Sequence, residues 1–232
     1  MKDFKSIIAP LILALGILGM GFAIKGGIDN FAFRDREVNV RGLAERNVNA
    51  NQVTWPVSYA ITGDNLQTLY EQTTRDNKTV MEFLTSNGIS EKDISINPPV
   101  VYDQSADQYS YNNGPKFKYK LTSTLTVLTS QVEKVRELLN RQGELLAKGI
   151  AFSNNEISYD YTQLNSIKPE MIAEATKNAR EAADRFAADS ESRLGKIKNA
   201  EQGYFSIDDA DPSTPYIKRV RVVTNITFYL ED

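Results

Sequence analysis

The stretch Val53–Ile61 reads VTWPVSYAI, and its alternation sets the type of fold. Apolar side chains occupy every second position, which is the period of a strand with one buried face. Trp55 falls on that apolar face, so we expect it to pack in the core. Pro56 falls on the other face and cannot donate a backbone hydrogen bond, so the pattern predicts an edge strand or a bulge.

Three later segments have apolar residues at helical spacing. Asp64 or Asn65 can cap the first helix, and Asn87-Gly88 can end it. The second helix is predicted from about Ser130 to Lys148, and the third from Pro169 to Arg193. The third helix has an alanine-rich inner stripe, which allows close approach to a neighbouring element. The predicted stripe comprises Ile172, Ala175, Ala179, Ala182, Ala183 and Phe186.

Alternating segments elsewhere predict further strands. They lie around Val38, from Phe117 to Leu128, near Tyr159 and from Lys218 to Leu230. Several strands interleaved with three amphipathic helices predict an α+β fold. Hairpin-like connections predict an antiparallel or mixed sheet with the three helices on one face. The tyrosine-rich stretch Tyr102–Tyr111 is interpreted as a long hairpin loop.

The composition excludes several functions. The chain of 232 residues contains no cysteine and no histidine, which removes thiolate chemistry, histidine general bases and the commonest metal ligands. We therefore expect a protein that is not an enzyme, with no catalytic residues, cofactor or metal. The net charge of −3 argues against nucleic acid as a partner.

Residues 6–24 (SIIAPLILALGILGMGFAI) carry no charge and follow Lys2 and Lys5. A helix of this length spans just under 30 Å, about the thickness of the hydrocarbon layer. The pattern favours a transmembrane anchor after a cytoplasmic segment 1–5 and before a tether 25–36. Residues 37–232 would then form a periplasmic domain held by a single-pass inner-membrane anchor. The alternative is a cleaved signal and a soluble periplasmic protein, although the nearest cleavage match, Gly21-Phe22-Ala23, is poor.

Two clusters are candidate sites. Tyr102, Tyr109, Tyr111 and Tyr119 are predicted to contact another subunit, because tyrosine buries area while keeping a polar tip. A ligand platform and a mobile loop are the alternatives for these tyrosines. The oxygen-rich run Asp208–Ser213 can be a Ca²⁺ loop, but it lacks the EF-hand spacing, and an acidic surface turn is favoured.

Five short motifs, in order, resemble the SIMPL-domain family over residues 37–231. They are Val38–Glu45 (VNVRGLAE), Phe83-Leu84 with Asn87–Ile89 and Asp93-Ile94, Ala175–Arg180 with Ala183 and Phe186-Ala187, Leu194–Ile197, and Val220–Val223. Glu191 is a departure, since this family commonly has glycine near the end of the long helix.

The resemblance implies an α+β domain of the cell envelope in a membrane-anchored subgroup. It also implies self-assembly into ring or channel-like homo-oligomers, and a link to envelope or oxidative stress tolerance. It brings no catalytic motif. We therefore hypothesise a non-enzymatic, self-associating envelope protein, and as an alternative a small-ligand or glycan-binding module whose ligand is unknown.

Overall fold

The computed structural model describes residues 13–25, 27, 36–106, 117–153 and 156–231. Within them the strands are β1 Glu37–Asn49, β2 Gln52–Gly63, β3 Ile94–Ile96, β4 Val100–Asp103, β5 Tyr119–Thr129, β6 Ser158–Asp160, β7 Arg193–Asp209 and β8 Ile217–Glu231. The helices that follow β1 are α1 Leu66–Ser86, α2 Val132–Asn140, α3 Gly143–Leu146 and α4 Leu164–Asp189.

The chain divides into two compact units. The first unit comprises residues 1–46, 165–206 and 221–232, and the second comprises residues 47–164 and 207–220. The prediction of an α+β fold with antiparallel pairing is confirmed. The prediction of one sheet carrying all three helices is wrong, because the strands form two separate sheets.

The predicted N-terminal span is only partly described. Residues 13–25 are helical and exposed, and residues 6–12 lie outside the described residues. Across the described part of the chain, no helix has both the length and the apolar character needed to cross a membrane. The anchor and the alternative cleaved signal both stay predictions.

The first unit contains a three-stranded sheet in the order β1-β8-β7. β1 and β8 run antiparallel, since Leu230 N–H donates to the Arg36 carbonyl (2.9 Å) and Arg221 lies 3.7 Å from Glu45 near the other end. Alternate residues of β8 are buried from Val220 to Phe228. This buried face packs against α4, where Ala179 and Ala183 join the apolar core.

The alanine stripe of α4 confirms the predicted close approach. Gly42 of β1 lies so near the helix that an added Cβ would stand 1.8 Å from the carbonyl oxygen of Ala175. The stripe itself differs from the prediction, because Phe186 is exposed. The helix also begins at Leu164 and contains Pro169, where the sequence predicted a start at Pro169. Its buried residues are Met171, Ala175, Ala179, Ala183 and Ala187.

α4 ends at Asp189 in a Schellman motif. Ser192 N–H donates to the Ala187 carbonyl (2.8 Å), and Glu191 N–H donates to the Ala188 carbonyl (3.1 Å). Glu191 has φ 56°, the left-handed conformation that favours glycine. The position where the resemblance noted a missing glycine is therefore the position whose backbone favours one.

The second unit contains a five-stranded sheet in the order β3-β5-β2-β6, with β4 also paired to β5. The odd-numbered residues of β2 from Val53 to Tyr59 are buried and face the helices. Trp55 is fully buried there, as predicted. Its core neighbours include Val80, Phe83 and Leu84 of α1.

Pro56 does not mark an edge strand or a bulge. β2 lies inside the sheet and pairs with β5 in unbroken register from Val53 to Gly63. The Ser58 carbonyl accepts from Ser153 N–H (2.9 Å), away from β5, and the Pro56 backbone points to the same side. Pairing with β6 covers only Gln52–Thr54, so no ladder bond is lost at Pro56.

The helix boundaries of the second unit agree in part with the prediction. Asn65 caps α1, since its Oδ1 accepts from the backbone N–H groups of Gln67 (2.9 Å) and Thr68 (3.1 Å). Gly88 follows the helix with φ 90°. The predicted helix 130–148 is broken into α2 and α3, and Leu146 points outward.

Candidate functional site

The β3–β4 edge of the second unit is the main candidate surface. β3 pairs with residues 125–127 of β5, and β4 pairs with residues 119–122 of the same strand. Among the described strands, neither pairs on its outer side. Pro98-Pro99 separates the two strands and removes two backbone donors from the edge.

Large apolar side chains are exposed along this edge. Four of them, between 47% and 66% exposed, form what we call the edge patch: Ile96, Val100, Val101 and Tyr102. An apolar sheet edge promotes pairing with another chain unless it is charged, covered or bent. The arrangement can therefore add a strand or bury an apolar surface from a partner.

A second exposed strand lies in the first unit. β7 is the outer strand of its sheet, and most of its side chains are exposed. Tyr204 on this strand is 99% exposed. Ile197 is exposed on the same strand, so the described chain has two different apolar strand surfaces.

A groove, which we call the α1 groove, lies beside the edge patch. One flank of α1 forms one wall, and Glu91, Ile96 and Pro99 contribute to the other side. Its volume is about 620 Å³, in the range of small-molecule sites. The wall from α1 consists of Tyr70, Thr73, Thr74, Asn77, Lys78, Met81, Glu82 and Thr85.

A buried polar network supports the wall of this groove. Asn77 Oδ1 accepts hydrogen bonds from Tyr59 Oη (2.8 Å) and Ser123 Oγ (2.9 Å). The Tyr59 hydroxyl also lies 3.1 Å from the Thr73 carbonyl, so its proton is shared, with the shorter distance to Asn77. Burial raises the pKa of Tyr59 to about 12, so this hydroxyl remains a donor at neutral pH.

The four tyrosines of the sequence prediction are only partly placed. Tyr109 and Tyr111 lie outside the described residues. Tyr102 lies on β4 opposite Lys120, which corrects the prediction of a loop at this residue. Tyr119 lies opposite Asp103, one step along the ladder, so it projects from the other face of the sheet. The described residues thus do not bring Tyr102 and Tyr119 together.

The acidic run forms a turn at the start of the β7–β8 connection. Asp211 Oδ1 accepts from the backbone N–H of Ser213 (2.8 Å), and Lys218 pairs with Asp209. The hydrogen bonds from Ser213 hold the pKa of Asp211 below its usual value. Within the described ranges no three acidic residues are grouped as metal ligands. The turn geometry supports the interpretation as a surface turn.

Sequence reasoning missed most of the edge patch and the α1 groove. The signal for the edge was the run Val100-Val101-Tyr102 directly after Pro98-Pro99, which places apolar residues where strand pairing is interrupted. The groove had no comparable signal. Asn77 occupies an ordinary helical position, and only the packing of α1 on β2 and β5 gives it buried partners.

Comparison with known proteins identifies the family. A sequence profile of SIMPL, described as a protein of unknown function, matches residues 38–228. No curated protein matches the chain. The regulatory subunit of aspartate kinase from Thermus flavus is similar at 15% identity, over 82% of this chain and 89% of that one, with a TM-score of 0.22. A TM-score this low carries no argument about function. The profile match, which spans most of the chain and both of its sheets, shows that this protein belongs to the SIMPL family.

Proposed function

We propose that this protein is a non-enzymatic, membrane-anchored component of the cell envelope whose SIMPL region self-associates. The observation that carries the proposal is the edge patch on β3 and β4, with side chains between 47% and 66% exposed. A second copy of the chain can pair with this edge through main-chain hydrogen bonds and bury the apolar side chains. Burial of such a patch is the main favourable term in protein association.

Ring or channel-like assembly requires more than one interaction surface. A closed ring uses heterologous contacts, in which one surface of a subunit meets a different surface of the next. The edge patch and the exposed strand β7 with Tyr204 supply two such surfaces. The proposal is therefore a cyclic homo-oligomer, linked to tolerance of envelope or oxidative stress.

The location and the lack of catalysis rest on the sequence. The uncharged segment 6–24 behind Lys2 and Lys5 supports an inner-membrane anchor with the domain on the periplasmic side. The absence of histidine and cysteine supports a binding or structural role over an enzymatic one. Intact mass measurement tests the anchor, because a cleaved signal would leave a chain that begins near residue 24.

Self-association is tested by light scattering of the full-length protein in detergent. Val100→Lys places a charge on the most exposed residue of the edge patch and should shift the protein towards the monomer. Leu146→Lys is the matched control, because Leu146 is similarly exposed on α3. A wild-type protein that stays monomeric at high concentration would refute the proposal, and equal masses for the wild type and Val100→Lys would exclude this edge.

A second candidate function is a small-ligand or glycan-binding module. The α1 groove favours it, because the groove combines apolar side chains such as Met81 and Ile96 with polar side chains of α1, as ligand sites do. A dose-dependent rise in melting temperature with envelope sugars or lipids would support this function. No response to either class would count against it.

A further inference from the structure

The α1 groove contains one polar group in a fixed orientation. Asn77 Oδ1 faces inward to Tyr59 and Ser123, so its Nδ2 is on the opposite side of a planar amide. This nitrogen makes no hydrogen bond to any other described residue, and Asn77 lines the groove. The groove therefore contains an amide donor whose direction is set by the core beneath it.

Two threonine hydroxyl groups of the same wall already donate to backbone carbonyls and so are not donors for a ligand. The hydroxyls of Thr74 and Thr85 donate to the carbonyls of Tyr70 and Met81, at 2.9 Å each. Their oxygen lone pairs and methyl groups are what remains for a ligand. A ligand in this groove meets hydroxyl acceptors and one fixed amide donor within a few helical turns.

Apolar surface completes the wall. Tyr70 is 62% exposed on α1, and Ile96 and Pro99 lie on the opposite side of the groove. An exposed tyrosine ring beside aliphatic groups suits a ligand with an apolar face and polar edges. Sugar rings have this character, because their C–H faces are apolar and their hydroxyls lie around the rim.

The charges of the groove disfavour anions. Lys78 lies 3.9 Å from Glu82, and Glu91 adds a second carboxylate to the lining. One cation against two anions leaves a negative excess, which repels phosphates and acidic lipid headgroups. Carboxylates instead accept hydrogen bonds from neutral hydroxyl groups.

We propose that the α1 groove binds a neutral, hydroxyl-rich oligosaccharide, with Asn77 Nδ2 donating to a ring or glycosidic oxygen, which can only accept, and Tyr70 packing on a ring face. The proposal rests on the second candidate function and is independent of self-association. Asn77 acts as the specificity residue. Its amide donor is held in place by the buried hydrogen bonds of Oδ1, and a site built around such a donor loses much of its affinity when the donor is removed. Glu82 and Glu91 accept hydrogen bonds from the sugar hydroxyl groups along the rim.

The test uses the full-length protein in detergent and titration calorimetry with two neutral β-linked tetrasaccharides, chitotetraose and cellotetraose. Asn77→Asp keeps the oxygen that accepts from Tyr59 and Ser123 but replaces the groove-facing N–H₂ with an acceptor. We expect at least tenfold weaker binding for Asn77→Asp and for Tyr70→Ala. Phe186→Ala is the matched control for Tyr70, since it removes a similarly exposed aromatic ring from α4 of the first unit, and it should bind as the wild type does.

Three results would overturn the proposal. They are no binding of either sugar by the wild type, equal binding by both groove variants, and a preference for inorganic phosphate, anionic vesicles or spermidine over the sugars. Light scattering on the same samples separates the two proposals. An oligomer without sugar binding refutes only this inference, and a sugar-binding monomer refutes only self-association.

Discussion

The two units pack a helix against a sheet in opposite ways. In the first unit α4 presents small side chains, and Gly42 of β1 lies against the backbone at Ala175. In the second unit α1 packs with Leu84 and Phe83 around a sheet face that contains Trp55. Side-chain size sets the distance between helix and sheet, so the first contact has no room for added atoms and the second loses stability when atoms are removed.

Gly42→Ala should have the largest effect, because it adds an atom to the close contact of the first unit. The new Cβ would lie 1.8 Å from Ala175 O and 2.8 Å from Ala179 Cβ, so the helix or strand must move. We expect a loss of about 3 kcal/mol or more in the free energy of unfolding, measured by urea titration.

Gly143→Ala is the matched control, because nothing lies within 4 Å of the added Cβ. It should change stability by no more than about 0.5 kcal/mol. A similar small change for Gly42→Ala would show that the strand and the helix of the first unit are in looser contact than a 1.8 Å approach requires.

Leu125→Ala tests the second unit by removing atoms from its core. Leu125 is fully buried on β5, so the substitution leaves a cavity and should cost about 3 kcal/mol. Leu128→Ala on the same strand removes the same atoms from an exposed position and should cost less than about 0.5 kcal/mol. Hydrogen exchange of the Leu125→Ala variant should show the larger loss of protection in residues 47–164, and an even loss across both units would contradict separate cores.

Tyr59→Phe tests the buried polar network of the second unit. Loss of the hydroxyl should cost about 1 kcal/mol at pH 7, because Asn77 loses one of its two donors. The variant keeps the ring and so isolates the hydrogen bond.

The same variant has a distinct pH profile. The pKa of Tyr59 is raised by burial to about 12 in the folded protein, so the unfolded chain ionises first as pH rises through 10. The stabilising effect of this shift is present below about pH 10 and is lost as pH approaches 12. Between pH 9 and 11 the urea midpoint of the wild type should therefore fall more than that of Tyr59→Phe. An equal fall in both proteins would contradict the burial of the Tyr59 hydroxyl.

The ends of α1 and α4 give the smallest predicted effect. Both helices end in the same Schellman pattern, but the left-handed residue is Gly88 in the second unit and Glu191 in the first. Glu191→Gly should stabilise the protein by about 1 kcal/mol, and Gly88→Ala should destabilise it by a similar amount. A loss of stability for Glu191→Gly would show that its side chain compensates for the backbone conformation.

Local sequence patterns determined much of this fold. The alternation from Val53 to Ile61 identified a half-buried strand and placed Trp55 in the core. Asn65 and Gly88 predicted the ends of α1, because capping depends on hydrogen bonds within a few residues. The ordered motifs also identified the family, which the profile match over residues 38–228 confirms.

Other features depended on which elements meet. The pattern at Pro56 was consistent with an edge strand, and only the pairing with β5 and β6 showed that its missing donor lies where β2 has no described ladder partner. The alanine stripe of α4 indicated close packing without indicating Gly42 as its partner. Periodicity encodes which face of an element is buried, but it does not encode the neighbour that buries it.

The sequence by itself determined the α+β class, the chemistry excluded by the lack of histidine and cysteine, and the family. Tertiary structure alone decided the division into two sheets, the exposure of the edge patch and the buried partners of Asn77. The physical reason is that propensity and capping act over a few residues, whereas strand pairing joins residues such as Val53 and Thr129 that are far apart in the chain.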